Sequence, residues 1–199
     1  MIEQDFATVF TPSAPGKPVV LALHGTGGDE HSFTGLLQDV LPGFGVFGIR
    51  GQVKENGANR YFARFAEGVL DYEDLAFRTQ QLGEFLTKRS ELADGEVFAL
   101  GYSNGANMAA NLMLTGAFPI ARAVLLRPMA LPSEARDLDL AGTRVLILAG
   151  AHDEICPPSQ AGELARALER QGATVELQVV PSGHNLIRAD IVALQSFFS

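Results

Sequence analysis

The chain has 199 residues, 47% hydrophobic and 19% charged, and its 15 Lys and Arg against 23 Asp and Glu give a formal charge of −8. That length suits one domain, residues 1–199, able to bury roughly two thirds of the surface its unfolded form exposes, and the composition excludes disordered and coiled-coil chains. No basic run is present to follow a phosphate backbone, so nucleic acid is not an expected partner. Cys156 is the only cysteine, which excludes an intrachain disulfide and a cysteine-based zinc cluster and suits a reducing compartment. The start, MIEQDFATVF, lacks the basic and continuous apolar segments of a signal peptide, and no apolar run approaches the roughly 18 residues of a membrane span. A soluble cytoplasmic protein is expected.

In chain order, FATVFTP (6–12) reads as an edge strand, followed by strands VVLALHG (19–25) and FGVFGIRG (44–51). Gln52 to Asp71 is the least regular stretch and reads as a long loop, of a length that is usually functional. Leu75, Thr79, Leu82 and Leu86 then line one helical face. Strand VFALGYS (97–103) precedes a helix marked by Ala106, Ala109, Ala110 and Met113. Strands RAVLLRP (122–128) and RVLILAG (144–150) come next, then a helix with Ala161, Leu164, Ala165 and Leu168 inward. VELQVVPSG (175–183) and a last helix carrying Ile187, Ile191, Leu194 and Phe198 complete the series. The 19–25, 122–128 and 144–150 runs are almost continuously apolar, as expected of strands covered on both faces, so the alternation predicts an α/β protein with a mostly parallel sheet flanked by helices.

Gly101-Tyr102-Ser103-Asn104-Gly105 has the spacing G-x-S-x-G between a predicted strand and a predicted helix. A sharp turn there would hold the Ser103 oxygen clear of the sheet, with glycines where a Cβ would clash; the alternative is a serine that merely caps the helix. A serine hydroxyl needs an imidazole to take its proton and a carboxylate to orient the imidazole. Asp153 follows the 144–150 strand and His184 follows the next one, in the order Ser, Asp, His. Glu154 is the rival acid and His152 the rival base.

A tetrahedral oxyanion needs backbone N–H donors, assigned to Asn104, after the serine, and Thr26, in the loop LHGTGGDEHSF. A nucleotide-binding glycine loop fails there, because G-x-G-x-x-G from Gly25 would need glycine where Glu30 stands. His24 and His31 do not have metal-pair spacing, and no metal or other cofactor is expected. Cys156 reads as a small buried side chain near the acid loop. Arg50, Arg127 and the Arg60–Tyr61–Phe62 stretch are expected to border a substrate pocket, since ligands of open α/β sheets bind outside the carboxyl ends of strands; surface ion pairs are the alternative for the arginines. Only about 15 residues separate the strand ending near Pro128 from that starting near Arg144, too few for a large cap, so small or short-acyl esters are the expected substrates.

Taken together, HGTGGDEHSF, IRG, ENGANRYFARFAEGVLDYEDL, GYSNGANMA, AGAHDEICPP and SGH resemble the bacterial phospholipase/carboxylesterase family of α/β-hydrolases over nearly the whole chain. Within it the chain is most similar to the branch of small carboxylesterases associated with quinone stress, related to acyl-protein thioesterases. The resemblance implies a minimal α/β-hydrolase fold, serine esterase activity, Ser103, Asp153 and His184 as the catalytic set, Thr26 and Asn104 as oxyanion donors, and a homodimer. A thioesterase or lysophospholipase with the same machinery, and a catalytically idle ligand-binding module, remain the alternatives. HGTGG stands where thioesterases typically have HGLGD, which weakens any transfer of protein-deacylating specificity because Thr26 borders the acyl site, and Cys156 stands where many hydrolases carry valine.

Overall fold

The computed structural model describes residues 5–132 and 138–199. Its elements are β1 (Thr8–Thr11), β2 (Val19–Leu23), α1 (Thr34–Val40), β3 (Gly45–Ile49), β4 (Val53–Glu55), β5 (Ala58–Arg60), β6 (Arg64–Ala66), β7 (Val69–Leu70), α2 (Tyr72–Thr87), β8 (Val97–Tyr102), α3 (Asn104–Thr115), β9 (Arg122–Leu126), β10 (Arg144–Gly150), α4 (Pro158–Arg170), β11 (Thr174–Val180) and α5 (Arg188–Phe198). Seven strands form the main sheet in the order β1-β3-β2-β8-β9-β10-β11. All neighbours are parallel except the β1–β3 pair at the edge.

Strand alternation divides the core into two layers. Leu21 and Leu23 point with Ala99 and Ile147 toward Leu82, Ala106 and Leu164, on the side of α2, α3 and α4. Val20 and Ala22 point with Leu100 and Leu148 toward Leu37 and Leu194, on the side of α1 and α5. Burying both faces explains the unbroken apolar runs of β2, β9 and β10. The helix boundaries have local causes. Asp71 caps α2 by accepting the Asp74 N–H at 3.0 Å, α3 stops at Gly116 in the left-handed region at φ +68°, and Pro158 opens α4.

One expectation changes, and one helix was not foreseen. Gln52–Asp71 is not an irregular loop but two small hairpins, β4–β5 and β6–β7, whose strands of two or three residues are too short to leave a periodic signature. The helix α1 carries neither a side-chain cap nor an acidic first turn, and so left no start signal. The short connection expected to exclude a cap includes 133–137, which lie outside the described residues.

Candidate active site

The register aligns the ends of the parallel strands: Leu23 pairs with Gly101, Tyr102 with Leu126, and Gly150 with Val180. The loops that leave this edge bring together Thr26, Ser103, Asp153 and His184. Ser103 has φ +51° and ψ −113°, a conformation that non-glycine residues rarely adopt. Its N–H donates to Leu126 O at 2.8 Å, and its carbonyl receives the Asn107 N–H at 3.0 Å as α3 begins. A Cβ on Gly105 would overlap the Leu23 and His24 carbonyl oxygens, and one on Gly101 would lie 2.6 Å from Ala106 Cα. The two glycines let β8, α3 and β2 converge beneath the serine.

His184 Nε2 lies 3.0 Å from Ser103 Oγ, and His184 Nδ1 lies 2.8 Å from Asp153 Oδ2. The other Asp153 oxygen accepts the Ile155 and Cys156 N–H groups, each at 2.9 Å. Asp153 is 4% exposed, so these bonds fix its carboxylate. Asp153 Oδ2 accepts the hydrogen bond from Nδ1–H, which holds the tautomer that leaves Nε2 as acceptor for the serine hydroxyl. Glu154 and His152, the rivals, are exposed, and neither side chain bonds to this series. Cys156 is buried with its thiol pushed up to about 12, first by desolvation and then by Asp153. Asp153, Cys156 and His184 ligand atoms lie within 4.8 Å of one another, a possible metal grouping in distance alone, yet Asp153 and His184 spend those atoms on each other.

Among the described residues, the Thr26 and Asn104 N–H groups donate to no other group. The Thr26 loop is held from several sides: Gly27 N–H donates to Asn59 O at 2.9 Å, Asn59 Nδ2 to Gly28 O at 2.6 Å, and Arg60 Nη1 to Thr26 Oγ1 at 2.7 Å. His24 is buried beneath the loop. Its Nδ1 donates to Gly25 O at 2.6 Å and its Nε2 accepts the Gly51 N–H at 3.0 Å, so both ring nitrogens are structural. Burial pushes its pKa below the ordinary histidine value. His31, on the exposed side of the loop, is not paired with it.

The expected pocket residues divide. Arg127 does not border a pocket: it is fully buried, and a cation there must be paired. Its Nη1 and Nη2 donate to the Asp190 carboxylate at 2.9 and 2.7 Å, and further bonds reach Leu148 O, Ser182 Oγ, Gly183 O and Asn185 O. The pair braces the loop that carries His184, and Tyr102 adds a hydrogen bond from its hydroxyl to His184 O at 3.0 Å. Arg50 forms a two-bonded ion pair with Glu30, the alternative raised for it. Phe62 is wholly buried and belongs to the core rather than to a pocket wall. Arg60 stays near the site through Thr26. Asp190 and Asn59 carry no sequence signal of a role in the site. Tyr61, expected with Arg60 and Phe62 at the pocket border, is instead buried, accepts the His24 N–H and donates to Ile49 O at 2.6 Å.

The chain is similar to known proteins. The prolyl oligopeptidase family matches residues 127–196, the part that holds Asp153 and His184. "Putative hydrolase MhqD" of Bacillus subtilis (strain 168) is 41% identical over 172 residues, covering 84% of this chain and 86% of that protein. The solved Bacillus cereus carboxylesterase superposes with a TM-score of 0.91 at 38% identity, covering 97% of this chain and 93% of that one. A carboxylesterase from Mesorhizobium loti gives 0.82 at 32% identity, with 90% and 87% covered. The fold and these relatives define a serine hydrolase. The chain belongs to the carboxylesterase family of α/β-hydrolases.

Proposed function

We propose that the chain is a serine carboxylesterase working through an acyl-enzyme. Ser103 Oγ attacks the ester carbonyl as His184 Nε2 takes its proton, Asp153 orients and stabilises the imidazolium, and the Thr26 and Asn104 N–H groups receive the oxyanion. The alkoxide leaves with the proton from His184. Water, deprotonated by the same nitrogen, then releases the acid and restores Ser103. The observation that carries this reading is the continuous series from Ser103 Oγ through both His184 nitrogens to Asp153, at 3.0 and 2.8 Å. Ser103→Ala tests it: turnover of an activated ester should fall by about 10³-fold or more with the fold retained. Undiminished turnover by the variant removes the assignment.

The same machinery serves a thioester, differing in leaving group, and a matched ester and thioester panel separates the two. Small or short-acyl esters are favoured because Tyr61 and Phe62 pack into the core while Phe65 is 74% exposed, so the aromatics of the two hairpins supply no continuous tunnel wall. A cytoplasmic setting is supported by the lone buried Cys156. None of the helices among the described residues is long and apolar enough to cross a membrane. A homodimer is supported by the exposed Phe65, Val69, Tyr72 and Phe77; light scattering near 21.2 kDa across micromolar concentrations counts against it.

A further inference from the structure

Arg60 is a buried cation whose counter-charge is shared with a second arginine. Its side chain is 3% exposed, and burial pulls its pKa down while Arg64 adds to the effect. The nearby carboxylate is Glu55, but both Glu55 oxygens are taken by Arg64 Nε at 2.9 and 3.1 Å, leaving Arg60 Nη1 3.6 Å away. Two guanidinium groups thus share one carboxylate. Of the Arg60 donors, Nε is spent on Phe62 O at 3.1 Å and Nη1 on Thr26 Oγ1 at 2.7 Å, both neutral acceptors. Nη2 makes no hydrogen bond among the described residues and is not wholly sealed from solvent.

A second donor beside it is unspent. The Asn104 carboxamide accepts the Tyr61 N–H on Oδ1 at 2.7 Å, which fixes its orientation, because only the oxygen can accept. Its Nδ2 is buried without a partner. Arg60 Nη2 and Asn104 Nδ2 are thus donors without a partner, one on the residue that holds Thr26 and the other on the residue that carries the second N–H assigned to the oxyanion. A buried guanidinium cannot shed its proton, and a buried cation short of a counter-charge is costly unless a ligand supplies one. A neutral hydroxyl would answer the hydrogen bond but not the charge.

We propose that Arg60 determines specificity for esters that carry a carboxylate close to the scissile carbonyl, the carboxylate pairing with Arg60 Nη2. The proposal rests on Ser103 as the nucleophile. It assigns no step of bond making to Arg60: the guanidinium positions the substrate, and the charge it binds is unchanged through hydrolysis.

The test uses two isosteric pairs, with carboxylate replaced by isopropyl: monomethyl succinate against methyl 4-methylpentanoate on the acyl side, and acetoxyacetate against isobutyl acetate on the alcohol side. Proton release gives kcat/KM near neutral pH. In at least one pair the anion should be preferred, and Arg60→Gln should lower the anion-to-neutral ratio of kcat/KM by about ten- to a hundredfold, the scale of a lost hydrogen bond to a charged group, with any loosening of the Thr26 loop falling on both members alike. Glu55→Gln keeps Arg60 and removes its competitor, so the anion preference should rise. Absence of preference in both pairs, or equal losses on both members with Arg60→Gln, overturns the proposal. Calorimetric binding of succinate and of acetoxyacetate to Ser103→Ala, compared with Ser103→Ala/Arg60→Gln, needs no turnover. Arg60-dependent binding there alongside undiminished hydrolysis by Ser103→Ala would refute the nucleophile and leave the anion site standing.

Discussion

Ser103 is held in its unusual backbone conformation by neighbours that leave no room for adjustment, and the glycines around it carry the sharpest residue-scale consequence. Gly105→Ala places a methyl against two backbone carbonyls of β2 and its exit, atoms that a parallel sheet cannot easily move. Both stability and turnover should fall, whereas Gly57→Ala, at a hairpin tip with open space around it, should affect stability only through its φ of +86° and spare turnover. Parallel denaturation and rate measurements check this. Asp153→Asn should reduce kcat by about 10⁴-fold, since an amide favours the wrong imidazole tautomer, while Glu154→Gln, exposed and outside the series, should change it little. A larger loss from Glu154→Gln would exchange the two acids. Ser103, Asp153 and His184 were legible in the sequence because each lies within four residues of the end of a strand, so chain order alone suggested a common edge.

At the scale of elements, the ends of β9 and α5 are joined by a contact that no local pattern announces. Arg127 and Asp190 lie 63 positions apart, and an arginine at a strand end reads equally as a ligand contact or a surface ion pair. Only the packing of α5 over the sheet reveals it as a buried brace for the His184 loop. Arg127→Met leaves a buried carboxylate unpaired and should cost about 3–5 kcal/mol, whereas Arg127→Met/Asp190→Leu should recover much of that. Chemical denaturation of the single and double variants tests it, and equal losses would contradict the pairing. The hairpins β4–β5 and β6–β7 were illegible for another reason: three-residue strands give no period, and their turns, at Asn56–Gly57 and Gly68, looked like loop composition.

For the whole molecule, the alternation of apolar strands and one-sided helices made the layered sheet readable. The partition of the core did not emerge from it, because inward and outward positions on a doubly covered strand are alike in hydrophobicity. Stability should depend on pH through His24. Folded, its pKa lies below the ordinary value near 6.5, so the unfolded chain binds more protons in that range and stability falls as pH drops below about 6.5. His24→Gln should show a shallower loss between about pH 7.5 and 5.5; an identical slope would assign the effect elsewhere. The short-acyl reading predicts that kcat/KM for p-nitrophenyl esters plateaus after a few carbons, where a long tunnel would gain about 0.8 kcal/mol per buried CH₂.

The central claim is that the oxygen of Ser103 becomes covalently bonded to the acyl group. A fluorophosphonate that reacts with activated serines, followed by peptide mass mapping, tests it most directly. One adduct per chain, on Ser103, formed in step with loss of ester hydrolysis and absent in His184→Ala, is the predicted result. Hydrolysis that persists in fully labelled protein, or an adduct on another residue that accounts for the inactivation, would contradict it.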